Sequence, residues 1–320
     1  MTTRRTLLKS ATALAALVLV APLAAQSAEP TRVVSSFSIL GDMVERIGAE
    51  HVAVTTLVGP NGDAHVYQPT PQAAGAVSEA EILVVNGLQF EGWIDRLIDA
   101  TDFNGTHVVA TVGIEPIAYD DDHDEHDHAH GDDDHDDAHG HHDHGAYDPH
   151  AWQSLANAVT YVNNITAALA QTDPENAVTF YQNRAAYVAE IEALDIEIGS
   201  IVAGLSEDRR TVVTSHDAFQ YFARDYGLTF LAPHGISTES EASAQDVARL
   251  IEQMRDEGIT AVFFENISDT RLLEQIANET GATIGGTLYP EALSELDGPA
   301  PTYLDMMRHN ATTLAQALGS

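Results

Sequence analysis

Cysteine is absent from all 320 residues, so there is no disulfide framework and no thiol to carry a lipid anchor. Lysine is almost absent too. Lys9 is the only one, and Lys plus Arg total 14 against 49 Asp plus Glu, for a formal charge of −35 at pH 7. A surface this acidic repels nucleic acid and anionic lipid, attracts cations and favours solubility. Past the N-terminal stretch, no run is long and apolar enough for a transmembrane helix. The motifs H-E-x-x-H and G-x-S-x-G and the P-loop are missing as well.

What is present begins with a leader. Arg4, Arg5 and Lys9 precede a short apolar stretch from Ala11 to Ala21, and Ala24, Ala25, Ser27 and Ala28 follow. This is the pattern of a secretory signal over residues 1–28, cleaved near Ala25 or Ala28. The paired arginines also fit a twin-arginine leader, so Sec and Tat export both stay open. Either route delivers a soluble chain to a bacterial periplasm.

Strand-like and helix-like runs then alternate. Arg32–Phe37, His51–Val58, Ile82–Asn86 and His107–Val112 read as strands, with helical patterns between them. The same grammar restarts at Arg210–Ser215 and continues through Leu228–Ala232, Ile259–Phe264 and Thr283–Gly286. Between the two halves, a helical pattern opens at Pro174 and runs to about Gly204. Phe180, Tyr181, Tyr187, Ile191, Leu194, Ile198 and Val202 form its apolar stripe. The expected architecture is α/β, with two Rossmann-like lobes of mostly parallel strands, residues 29–172 and 206–320. One long helix within 173–205 joins them, and the pattern fits a rigid strut or a surface helix on one lobe equally well.

One segment breaks the alternation. From Asp120 to Gly145 the chain reads DDDHDEHDHAHGDDDHDDAHGHHDHG, with histidines at His123, His126, His128, His130, His135, His139, His141, His142 and His144. Its composition cannot bury enough apolar surface to offset ordering, so it reads as a disordered loop offering weak, exchangeable zinc sites. It either collects metal for a tighter site or is dispensable. His139 to His144 also matches H-x-H-x-D-H of metallo-β-lactamase-like hydrolases, a chance match in a tract this rich in His and Asp.

Seven histidines lie elsewhere: His51, His65, His107, His150, His216, His234 and His309. His65, His150 and His216 stand after strands or beside turn residues, where ligand sites gather in open α/β sheets. His51 and His107 read as strand members, His309 as a helix-surface residue, and His234 as a loop residue with a spare nitrogen near the cleft.

Gly62-Asp63-Ala64-His65-Val66-Tyr67-Gln68-Pro69, Asp148-Pro149-His150-Ala151-Trp152 and Ser215-His216-Asp217-Ala218-Phe219 resemble the ligand motifs of ZnuA-like and AztC-like proteins. These are the periplasmic metal-binding subunits of bacterial zinc-uptake ABC transporters. Val262–Asn266 and Gly286–Ser294 match the same family. The resemblance implies metal ligation by His65, His150 and His216 in the interlobe cleft. It also places Glu291 where the family often has an aspartate, with a water as the alternative fourth ligand. Three imidazoles and a carboxylate suit tetrahedral Zn(II), whereas manganese-type relatives replace one histidine by a carboxylate. The implied partners are a membrane permease and its ATPase, with a periplasmic zinc metallochaperone as a further donor, and the chain is expected to be a monomer. A three-histidine zinc hydrolase and a metal-buffering adhesin are the rival readings; no general base or substrate pocket can be nominated for the first.

Overall fold

The computed structural model describes residues 29–119 and 147–319; the leader and the histidine-rich run lie outside the described residues. Two four-stranded sheets are present, each wholly parallel. The first has order β2-β1-β3-β4, built from β1 (Thr31–Phe37), β2 (Val52–Val58), β3 (Ile82–Val85) and β4 (Thr106–Val109). The second repeats that order as β6-β5-β7-β8, from β5 (Thr211–Val213), β6 (Thr229–Leu231), β7 (Ala261–Glu265) and β8 (Thr283–Leu288). Central strand β3 is apolar on both faces, and all four of its residues are buried. Edge strand β2 shows only partial burial.

Helices α1 (Ser38–Gly48), α2 (Pro71–Glu79), α3 (Ile94–Asp99) and α4 (Leu155–Thr172) serve the first lobe. α1 turns Ile39, Leu40, Met43, Val44 and Ile47 inward, an amphipathic stripe at helical spacing. α2 starts where its sequence says it should: the Thr70 hydroxyl accepts from the Ala73 N–H, with Pro71 in the first turn. The second lobe carries α6 (Gln220–Tyr226), α7 (Ala244–Glu257), α8 (Arg271–Thr280) and α9 (Tyr303–Leu318).

α5 (Ala177–Ala203) has 27 residues and so extends about 40 Å. Six of its seven stripe residues are buried; Tyr181 is the exception, at 52% exposure. The helix packs against α1 and α4 on one side and against α9 and α6 on the other. Polar pairs pin both ends of that span. Arg46 of α1 meets Glu190 at 2.5 Å, and Asn183 donates to the Ile47 carbonyl. Arg308 of α9 meets Glu197 at 3.0 Å, and Tyr226 donates to Asp195. Of the two patterns α5 could serve, it follows the strut.

The apolar core follows the same route. One cluster of buried side chains takes in the first lobe, the inner face of α5, and Phe219, Phe222, Phe263, Tyr303 and Met307 of the second. A smaller cluster, including Val213, Leu250, Met254, Val262 and Ile276, fills the opposite face of the second sheet. Among the described residues, no helix is long and apolar enough to cross a membrane.

Candidate metal centre

Parallel strands point their carboxyl ends the same way, and ligand sites form in the crevice beyond those ends. His65 lies in the loop after β2, His216 directly beyond β5, and Glu291 beyond β8, while His150 leads into α4. The structure brings these four together: one ligand atom of each lies within 4.8 Å of all the others. Glu291 Oε2 stands 3.1 Å from His65 Nε2, 3.7 Å from His150 Nε2 and 3.5 Å from His216 Nε2. All four side chains are buried, and His65, at 6% exposure, is the least so.

Each of these four side chains is held by its own loop. Asp63 accepts the His65 N–H at 2.9 Å, while Trp93 donates its indole N–H to the Ala64 carbonyl at 2.7 Å. Asp148 Oδ1 takes both the backbone N–H of His150 and its Nδ1–H, the latter at 2.7 Å. Glu265, at the end of β7, accepts from the Ser215 and His216 backbones and from His216 Nδ1 at 2.7 Å. The Glu291 loop is fixed through Pro290, whose carbonyl accepts from Trp152 and Gln153, and through Leu293, whose N–H donates to Ser38.

These supports occupy Nδ1 of His150 and His216 and leave Nε2 bare. Nε2 of all three histidines and both oxygens of Glu291 are buried without a hydrogen bond. Five such atoms around one point would be costly in a finished apolar core. A cation between them satisfies them together, so the residues present fit a metal ion. The electrostatics agree. Burial alone would lower the basicity of His216, yet the charges of Glu265 and Glu291 raise its pKa well above the usual 6.5; against the same burial, Asp148 raises that of His150. Burial would raise the Glu291 carboxyl, but the three histidines hold it well below its ordinary value.

The other histidines stay apart. His107 sits in β4 as expected. His51 lies in a short 3₁₀ turn just ahead of β2 rather than in the strand. His309 is half-buried and pairs with the Thr287 carbonyl, so it is not an open surface residue. His234 bridges to His216 through the backbone, but its Nδ1 is taken by the Ser240 carbonyl. The nine histidines from His123 to His144 lie outside the described residues. Sequence reasoning gave no role to Asp148, Glu265 or Phe90. Asp148 was visible as the first residue of the motif around His150; Glu265 had no local signal, because 49 residues separate it from His216.

Residues 33–317 match the family described as ZnuA, zinc-uptake complex component A, periplasmic. The chain is 30% identical over 294 residues to the manganese-binding lipoprotein MntA of Halalkalibacterium halodurans, covering 92% of this chain and 90% of that protein. It is 27% identical over 293 residues to the iron ABC transporter substrate-binding lipoprotein MtsA of Streptococcus pyogenes, covering 90% and 88%. Among solved structures, the periplasmic zinc-binding protein TroA of Treponema pallidum is similar, with a TM-score of 0.80, 25% identity, and coverage of 90% and 99%. The chain thus belongs to the ZnuA family: it is a metal-binding substrate-binding protein of an ABC transporter, working with a permease and an ATPase, and not an enzyme.

Proposed function

We propose that the protein captures Zn(II) in the interlobe cleft with His65, His150, His216 and Glu291 and presents it to its permease. The observation that carries this is the donor set: three bare imidazole nitrogens and one carboxylate, all buried and within 4.8 Å of each other. Three nitrogen donors and one oxygen suit a four-coordinate, borderline-soft ion, and His216 supplies an imidazole where a harder ion would favour a second carboxylate. Residues 1–28 direct export to the periplasm, and residues 120–145 gather zinc there, in part from a metallochaperone. Lobes 29–172 and 206–320 then form the two walls of the cleft, joined by helix segment 173–205.

Manganese is the second reading. Both Glu291 oxygens are unpartnered, so a bidentate carboxylate would give five-coordination for a larger ion, and MntA and MtsA are named for manganese and iron. The deciding experiment offers zinc and manganese together to stripped chain lacking residues 120–145, then measures retained metal. About one zinc and little manganese per chain is expected from one four-donor site. Retained manganese would replace the zinc reading, and no retained metal would move the binding element to the histidine-rich run.

A further inference from the structure

Three consecutive residues, Gly87, Leu88 and Gln89, have φ of 86°, 54° and 62°. Glycine accepts this left-handed backbone freely, but leucine and glutamine adopt it only where surrounding structure imposes it. The imposing group is Glu91, a buried carboxylate. Its Oε1 accepts the Asn86 N–H at 2.7 Å and the Ser36 hydroxyl at 2.5 Å, and its Oε2 accepts the Gly87 N–H at 3.2 Å. Ser36 is near the end of β1 and Asn86 just follows β3, so Glu91 bridges the point where strand order reverses. At the corresponding junction of the other lobe, between β5 and β7, the buried carboxylate is Glu265, which holds His216 directly.

Glu91 reaches the metal centre at one remove, by two routes. The turn it clamps delivers Phe90, whose ring centroid lies 4.8 Å from that of His65, 5.9 Å from His150 and 4.7 Å from Trp152. Asn86, fixed by the same clamp, donates its side-chain N–H to the Pro149 carbonyl at 2.9 Å and accepts from Tyr161, bracing the peptide before His150. We infer that Glu91 is a positioning residue: by holding the strained turn it fixes the spacing of His65 and His150, now 5.5 Å between ring centroids, and so sets which divalent ion the site prefers. A wall that cannot retreat favours the short bonds of zinc over larger ions.

This inference rests on metal binding at the four-residue site, and the test separates the two. Full-length wild type, E91Q and S36A are loaded with Co(II) for visible spectra, then titrated with zinc and with manganese. In E91Q an amide NH₂ faces the Gly87 N–H and the turn loosens. The expected result is a shifted Co(II) ligand-field band, zinc affinity about tenfold weaker, and a zinc-to-manganese preference that narrows. S36A removes one hydroxyl while keeping both backbone donors, and should shift the same readouts less; it decides the matter if E91Q does not fold. Wild-type spectra and metal preference in the folded variants, even with a lower melting temperature, would make Glu91 a brace of the fold only. A wild-type chain that takes up neither Co(II) nor zinc would overturn the metal site and this inference together.

Discussion

Asp148 and Glu265 each take the Nδ1–H of one histidine and thereby decide which nitrogen faces the cleft. In E265Q the amide oxygen goes to the Ser215 and His216 backbones and the NH₂ faces Nδ1. That nitrogen must then accept, so the ring proton moves to Nε2 and blocks the ligand atom. Zinc affinity is expected to fall about 10- to 100-fold, read by titration against a chelator. Protons compete at the same atoms. Neutral imidazoles bind metal, and in the metal-free protein His216 and His150 hold their protons to higher pH than the ordinary 6.5. Affinity is therefore expected to decline as pH falls, starting above pH 6.5, by about tenfold per pH unit for each proton displaced. Chelator competition between about pH 8 and 5.5 would show it; an affinity flat down to pH 6 would contradict the assignment. The four proposed ligands were legible in the sequence because each sits in a short motif that resembles those of a known family. Their supports were not, since a carboxylate 49 residues from its histidine leaves no local pattern.

Among elements, the helices and buried strands followed their periodicity closely, because their inward stripes face one of two buried apolar clusters. The sequence could not show what α5 packs against, nor that Tyr181 would turn outward, since both depend on the placement of α1 and α9. Asp42 marks the junction of those three helices. It belongs to α1, accepts the Tyr303 N–H at the start of α9 at 3.0 Å, and lies 3.5 Å from the Tyr187 hydroxyl of α5. Burial pushes its carboxyl up from 3.8 to about 6, with Glu45 and Asp305 adding to the rise and the Tyr303 N–H and Arg46 opposing it. The folded chain thus binds this proton more tightly than the unfolded chain. Its contribution is fully present below about pH 4 and is lost as pH rises through about 6, a change of about 3 kcal/mol. D42N removes the titration, so its stability relative to wild type should rise across that interval, as urea denaturation at several pH values would show. A pH-independent difference would mean that Asp42 stays ionised.

At the scale of the whole molecule, the cargo is also a structural ligand. Zinc bound to the native site alone should stabilise the chain by about 4 kcal/mol at a thousandfold excess over Kd, visible as a higher melting temperature. H65A, H150A or H216A should abolish most of that rise. The core described above adds a further expectation, that the lobes unfold together in one transition rather than as separable halves.

A molecule whose halves share a core and a pinned strut cannot open like a jaw without tearing apolar contacts, so the cost of wide opening approaches that of unfolding. Small-angle scattering from stripped and loaded protein should therefore give nearly the same radius of gyration. Any motion that frees the ion is then confined to the segments around the site, which makes release a local event.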